Sequence, residues 1–457
     1  MTLSTARRGL DPDIRRRMLS QAGAAPVRPE AGLPRSGGPA PGRLAGLDRL
    51  EAVQRGAALE RALALLDLEP PYFRMHDGHA GAETRIADRA CLNFATYDYL
   101  GLNADPRPAR AAVQAIGRYG VSAGGSRMVS GERPVHRALE ARLARHYNSE
   151  AALSFVSGHG TNMSLLAAVT GPGDLIVHDA HIHNSVRMGA ALSGASVRSF
   201  AHNDLAALER ILAHNRPLCR NLLIVVEGLY SMDGDLPNLP GLLALRDCYD
   251  AWLMVDEAHA LGCVGARGQG VAAHYGLDPA CVDIWMGTLS KTLASTGGYV
   301  AGSGALIRLL KHEAAGHVFS VALPPMLAAS ALCALELLEQ EPERCARLRE
   351  NGAYFAARAA ELGLNTGTGQ GFGIMPVMVG ASPVAVKLSE RLLEAGVNVA
   401  PVTFPGVPMN AARLRFFLSS DHTEAQIDQG LRALRQALDR LEEEGFLGLV
   451  EGLGAEG

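Results

Sequence analysis

Residues 282–302 read VDIWMGTLSKTLASTGGYVAG. An apolar run of strand type opens the stretch, and GGYVAG closes it as a second strand pattern. Between them lie small and hydroxyl-bearing residues around one cation, Lys291. Desolvating an ammonium is costly unless it is paired or put to chemical use. The chain has 43 Lys plus Arg, yet only three are lysines: Lys291, Lys311 and Lys387. Where arginine fills nearly every other cationic position, a retained lysine marks a place that needs an amine able to lose its proton. Lys311 and Lys387 fall in amphipathic helical patterns, ALIRLLKHEAAG and PVAVKLSERLLEAG; Lys291 does not.

Working outward, the segment from about 150 to 302 alternates strand and helix. The strand patterns are AALSFV, DLIVHD, ASVRSFA, NLLIVVEG, AWLMVDE, VDIWMGT and GYVAG, with helical runs such as NDLAALERILAHN between them. Near-continuous apolar strands separated by helices indicate an α/β fold with a mainly parallel seven-stranded sheet covered on both faces. Ligands in such sheets sit beyond the carboxyl ends of the strands. The expected organisation is a disordered basic arm over 1–45 and a helix/strand segment over 46–105. A large domain over 106–325, a smaller C-terminal α+β domain over 326–446 and a flexible tail over 447–457 follow. The arm is rich in Ala, Gly, Pro and Arg and carries eight arginines against three acids. It reads as a solvated tail, with a docking arm for an acidic partner such as a carrier protein as the second reading.

With 48% hydrophobic and 20% charged residues and a net charge of −4, the 457-residue chain fits a soluble globular protein. Neither a nucleic acid nor a membrane is indicated as partner. No run approaches the length of a spanning helix, and no apolar core follows the N-terminal arginines as a secretory signal requires. Seven scattered cysteines without CxxC spacing fit free thiols in a reducing cytoplasm.

The chemistry lies at the strand ends. Asp256 closes AWLMVDE and His259 follows it; alone, such a carboxylate reads as a cap or turn residue. The next strand ends in Thr288, Ser290 and Lys291, about 35 residues later. A strand-end Asp followed by a strand-end Ser-Lys is the layout of a pyridoxal-phosphate site, in which the lysine forms the Schiff base and the carboxylate keeps the pyridine nitrogen protonated. The hydroxyls of Thr288 and Ser290 suit a phosphate. FVSGHGTNMSLLAAV supplies a second phosphate element, a strand, a glycine turn and a helix start whose amides at Gly158 and His159 bind an anion. In HDAHIHNSV, His178, His181 and His183 invite a metal reading, but nothing nearby supplies carboxylate or cysteine ligands, so no metal is expected. His183 stacked on the pyridine ring is the better functional reading.

Taken in order, YDYLGL, SAGGSR, SGHGTN, DAHIHNS, EGLYSMDGD, VDEAHALG, GTLSK, GGYVAG, LPP and ARLRFFLSSDHT resemble the α-oxoamine synthases, fold-type I pyridoxal-phosphate enzymes that include serine palmitoyltransferase and 8-amino-7-oxononanoate synthase. The resemblance runs from about Leu92 to Leu434 and is closest in look to members of polyketide and acyl-chain pathways. It implies roles for individual residues. Lys291 is the Schiff-base lysine and Asp256 the pyridine-nitrogen partner. His183 is the stacking ring, and His259 binds the cofactor's phenolic oxygen or the substrate region. Ser231 and Thr288 are further cofactor contacts, and Arg415 receives the amino-acid carboxylate. Ser320 reaches the phosphate of a neighbouring subunit in a homodimer with shared active sites.

The implied reaction joins a small amino acid (Gly, Ala or Ser) to an acyl thioester of CoA or an acyl-carrier protein, with loss of CO₂ and free thiol. Lys291, His183, His259 and Asp256 would form the catalytic group. The GGSR loop and the basic arm are read as suited to an anion-bearing thioester. Two departures stand out: His159 in place of the usual Phe or Tyr, and Tyr97 where several relatives have Asn. A fold-type I aminotransferase, which shares the Asp and Lys layout, is the competing enzyme reading; a non-catalytic partner subunit is the competing reading of another kind.

Overall fold

The structure is a computed structural model and describes residues 46–454 apart from Asp67; the basic arm over 1–45 lies outside the described residues. After a helix over Glu51–Leu65, three short strands, β1 (His76–Asp77), β2 (Glu83–Ile86) and β3 (Arg89–Asn93), form an antiparallel ladder.

The large sheet contains β4 (Ala151–Phe155), β5 (Leu175–Asp179), β6 (Ser196–Phe200), β7 (Leu222–Glu227), β8 (Trp252–Asp256), β9 (Ile284–Thr288) and β10 (Gly298–Gly302). Their order is β4-β10-β9-β8-β7-β5-β6. All seven sequence-derived strands are present. The pairs among β5 to β9 are parallel, whereas β10 runs antiparallel to both its neighbours. Every residue of β5, β7 and β10 is buried, as the unbroken apolar runs of a sheet covered on both faces require. Two apolar clusters fill the two faces. Leu175, Val177, Ile224 and Val255 belong to one, and Ile176, Leu223, Val225 and Met254 to the other, because alternate side chains point to opposite faces.

The glycines before β10 serve close packing. Gly297 has φ +133°, and a Cβ on Gly298 would lie 2.4 Å from Thr161 Oγ1 and 2.7 Å from Gly158 Cα. The helix Gly158–Val169 can therefore start directly against the sheet.

Beyond Pro325 come two long helices, Pro325–Gln340 and Pro342–Glu361, then β11 (Ile374–Gly380), β12 (Val397–Asn398), β13 (Ala400–Val402) and β14 (Ala412–Phe417). β11, β14 and β13 make a three-stranded antiparallel sheet. β12 instead pairs in parallel with β3. The amide of Phe417 donates to the Phe94 carbonyl and that of Ser420 to the Tyr99 carbonyl. These bonds tie the YDYLGL segment to the C-terminal part of the chain. Thr423 and Gln426 form a capping box at the start of the helix Glu424–Glu443. A last helix, Phe446–Gly454, occupies most of the segment read as a tail. No helix among the described residues is long and apolar enough to cross a membrane.

Candidate active site

The carboxyl ends of β7, β8 and β9 lie side by side, with Glu227 paired to Asp256 and Asp256 to Met286. Lys291 follows the end of β9 by three positions. These groups line a cavity of about 370 Å³, together with His183, His259, Ser231, Thr288, Ser290 and Arg415. Gly158 and His159 close its other side. Of the site residues drawn from the sequence, all but Ser320 meet here.

Lys291 Nζ lies 2.7 Å from His259 Nε2, and His259 Nδ1 lies 2.7 Å from the Tyr99 hydroxyl. An ammonium can only donate, so against the charged lysine Nε2 accepts and Nδ1–H donates to the tyrosine oxygen. Burial lowers the Lys291 amine to about 8 against the opposing pull of Asp256 and Glu227. Burial first, and the Lys291 charge second, push His259 well below its usual range and keep it neutral. The Tyr97 ring sits 5.4 Å from Lys291 Nζ and meets His259 edge-on.

Asp256 is 4% exposed. Its Oδ2 accepts from Asn162 Nδ2 at 2.9 Å and its Oδ1 from the Ala258 amide at 3.0 Å. Asn162 Nδ2 also reaches Ser185 Oγ at 2.8 Å, and Ser185 Oγ meets His183 Nδ1 at 2.7 Å. One hydrogen-bonded chain therefore fixes both the carboxylate and the His183 ring. His183 caps the helix Asn184–Ser193, and its exposed ring faces the cavity.

At the other end, the first-turn amides of Gly158 and His159 have no intrahelical acceptor by position, while Ser157 caps Gly160. The Thr288 hydroxyl stands close to Gly158 and donates to the Gly297 carbonyl, which Ser290 Oγ also approaches at 3.3 Å. His159 is exposed, and its ring meets His183 edge-on with centroids 6.1 Å apart. On β14, Arg415 Nη1 donates to the Ser231 carbonyl at 2.8 Å, and its guanidinium lies over the Phe417 ring.

Buried polar atoms normally have partners. Three on these walls have none: Asn162 Oδ1, Glu227 Oε1 and Arg415 Nε. Burial, with Asp256 next to it, raises the Glu227 carboxyl to about 8. A flat, polar, anionic occupant with a protonated ring nitrogen fits this donor and acceptor set, as pyridoxal phosphate does.

Sequence reasoning did not single out Glu227, Asn162 or Tyr99. Glu227 carried the same signal as Asp256, a carboxylate closing an apolar strand. Tyr99 reads as a turn residue in YDYLGL, and its partner is 160 positions away.

One expectation needs correction. Arg127 of the GGSR loop does not present a free cation to an anionic substrate. It is 9% exposed, and its fork is bound to Glu132 Oε2 at 2.6 Å and to both oxygens of Glu140 at 2.5 and 3.1 Å. Thr296 lines the cavity, but Ser295 donates to the Leu327 carbonyl and Gly297 packs on the Phe155 carbonyl. A second cavity of about 520 Å³ adjoins the first and shares Tyr97, Ser290, Lys291 and Thr296 with it.

The comparisons agree with this geometry. The family model described as aminotransferase class I and II matches residues 89–434. An 8-amino-7-oxononanoate synthase from Symbiobacterium thermophilum is 40% identical over 348 residues, spanning 76% of this chain and 88% of that protein. A serine palmitoyltransferase from Sphingomonas wittichii superposes with a TM-score of 0.81 at 30% identity, over 85% of this chain and 98% of its own. One from S. paucimobilis, with PLP bound, gives 0.83 at 27% identity, over 86% and 99%. The chain belongs to the class I and II aminotransferase family and, within it, to the α-oxoamine synthases, pyridoxal-phosphate-dependent acyltransferases that condense an amino acid with an acyl thioester and release CO₂.

Proposed function

We propose that this enzyme joins a small amino acid (Gly, Ala or Ser) to an acyl thioester of CoA or an acyl-carrier protein, giving an α-amino ketone, CO₂ and free thiol. The observation that carries the reading is Lys291, an amine with a lowered pKa, 2.7 Å from a neutral His259 in a cavity it shares with Asp256. Pyridoxal phosphate, when bound, supplies the electron sink for a carbanion at the amino acid's Cα.

Lys291 would hold the cofactor covalently. Asp256 would keep the ring nitrogen protonated, and the exposed His183 ring would cover the ring face. The Gly158 and His159 amides, with Thr288 and Ser290, would bind the phosphate. Ser231 and His259 would reach the ring's oxygen substituent.

Arg415 binds the substrate carboxylate. Its guanidinium is already oriented by the Ser231 carbonyl and Phe417, so fewer rotamers are lost on binding. Lys291 Nζ takes the Cα proton, a role suited to an amine titrating near working pH. His259, held by Tyr99, accepts a hydrogen bond from Lys291 and orients the proton carrier. The adjoining 520 Å³ cavity is the natural path for the acyl chain, with Tyr97 at the boundary.

The working unit is a cytoplasmic homodimer. Ser320 does not line this chain's own cavity and is flanked by Phe319, 86% exposed, and Val321, 53% exposed, as expected for a residue that reaches a partner's phosphate. Seven unpaired cysteines suit a reducing compartment. The test is a matrix of Gly, Ala and Ser against acyl-CoA and acyl-carrier donors, read by mass spectrometry. Amino ketone from at least one pair is expected. Amine exchange with a keto acid, and no ketone from any pair, would refute the assignment.

A further inference from the structure

β14 carries two arginines on one face. Arg413 and Arg415 stand two positions apart, and strand side chains at that spacing point the same way. Both reach the loop after β7 that holds Ser231, Met232 and Asp233. Arg415 Nη1 donates to the Ser231 carbonyl at 2.8 Å and lies 3.5 Å from Met232 Sδ. Arg413 Nη1 donates to the Met232 carbonyl at 3.0 Å and to Asp233 Oδ1 at 2.5 Å. Two forks from one strand thus hold three successive loop residues. Among the described residues, no backbone amide donates to the Ser231 or Met232 carbonyl.

Only one of these forks can serve a substrate. Arg413 is 4% exposed and stands outside the cavity lining, and its Nε is spent on the Ala411 carbonyl at 3.2 Å. Arg415 lines the cavity, and its buried Nε has no partner. On the far side of the loop, Asp233 Oδ2 accepts from His181 Nδ1 at 2.8 Å. His181 stacks on His202, with centroids 4.1 Å apart, and His202 lies 2.9 Å from both Asp179 Oδ1 and Asp235 Oδ2. This His–Asp cluster anchors the loop to the ends of β5 and β6, and the arginines anchor it to β14.

We propose that Arg413 is a positioning residue for amino-acid binding. By pairing with Asp233 and the Met232 carbonyl it holds the 231–233 loop where the Ser231 carbonyl aims Arg415 at the substrate carboxylate. The proposal rests on the reading of Arg415 as the group that binds that carboxylate. An arginine fixed before the substrate arrives loses fewer rotamers on binding. The Arg413 and Asp233 side chains are 5% and 13% exposed, so water screens their attraction little and the loop is held firmly.

The test titrates the holoenzyme with alanine and serine, and with ethylamine and ethanolamine, which lack the carboxylate. The readout is the change in cofactor absorbance on binding, which needs no turnover. Wild type should bind the amino acids more tightly than the matching amines. Arg413→Met leaves Asp233 its His181 partner and strands no cation. It should weaken alanine and serine roughly tenfold and shift the amines by no more than about twofold. Arg413→Lys keeps a cation beside Asp233, so it preserves the fold if the methionine variant does not. With one nitrogen in place of a fork, it should weaken the amino acids by an intermediate factor of about three. Full amino-acid preference in the folded variants, or amines weakened as much as amino acids, would overturn the role of Arg413 and leave that of Arg415 standing. Equal wild-type affinity for alanine and ethylamine would overturn the reading of Arg415 itself.

Discussion

Lys291 Nζ and His259 Nε2 face one another at 2.7 Å, with the second nitrogen of the histidine anchored on Tyr99. The lysine thus meets a neutral acceptor rather than a carboxylate. Burial lowers its proton affinity without an adjacent ion pair to cancel the effect.

Reactivity of Lys291 should follow that shift. The buried amine titrates near 8, against 10.5 for a free lysine. Because the folded pKa is depressed, this lysine costs stability below about pH 8, and the cost fades as pH rises towards 10.5. In the apoprotein, labelling of Lys291 by a neutral acylating reagent should reach half its maximal rate near pH 8. Peptide mass spectrometry over a pH series checks this.

Tyr99→Phe leaves the His259 Nδ1–H without its acceptor in a fully buried position. The expected loss of stability is about 1–3 kcal/mol, measured by denaturant unfolding. Turnover should fall as well, because the His259 tautomer that accepts from Lys291 is no longer held.

Arg415→Lys keeps the charge but removes the planar fork. A charge-assisted hydrogen bond contributes about 1.5–3 kcal/mol, so the amino-acid KM should rise roughly 10- to 150-fold. The KM for the acyl thioester should change little. Steady-state kinetics with each substrate varied in turn separates the two.

Gly158→Ala places a Cβ 2.7 Å from Thr288 Oγ1 and 3.1 Å from its Cβ, among the groups proposed to bind the phosphate. The Thr288 hydroxyl must move and lose its bond to Gly297. Cofactor affinity should weaken by about tenfold or more, equivalent to one hydrogen bond of about 1.4 kcal/mol. Fluorescence titration of the apoprotein with pyridoxal phosphate reads the change.

Glu140→Ala leaves the Arg127 guanidinium, 9% exposed, with Glu132 as its remaining carboxylate and takes the acceptor from the Ser154 amide and hydroxyl. Leaving buried polar groups without a partner costs about 1–3 kcal/mol. A drop in unfolding temperature is expected.

The large sheet was legible because buried parallel strands leave unbroken apolar runs, from DLIVHD to VDIWMGT, and the candidate site's residues could be grouped because most of them sit at or just after strand ends, where the structure places them around one cavity. The remainder depends on pairings distant in sequence. β12 is two residues long and pairs with a strand about 300 positions earlier, so it has no periodicity of its own to read. Arg127 looked available because Glu140, which neutralises it, sits in the next helix. The His–Asp cluster was missed for the same reason, since Asp233 is 52 positions from His181.

The most direct measurement follows CO₂ and free thiol together with amino ketone in one reaction mixture, for wild type and Lys291→Ala. Equal amounts of all three from the wild type, and none from Lys291→Ala, are predicted. Amine transfer to a keto acid without CO₂ or thiol, or undiminished condensation in Lys291→Ala, would contradict the account.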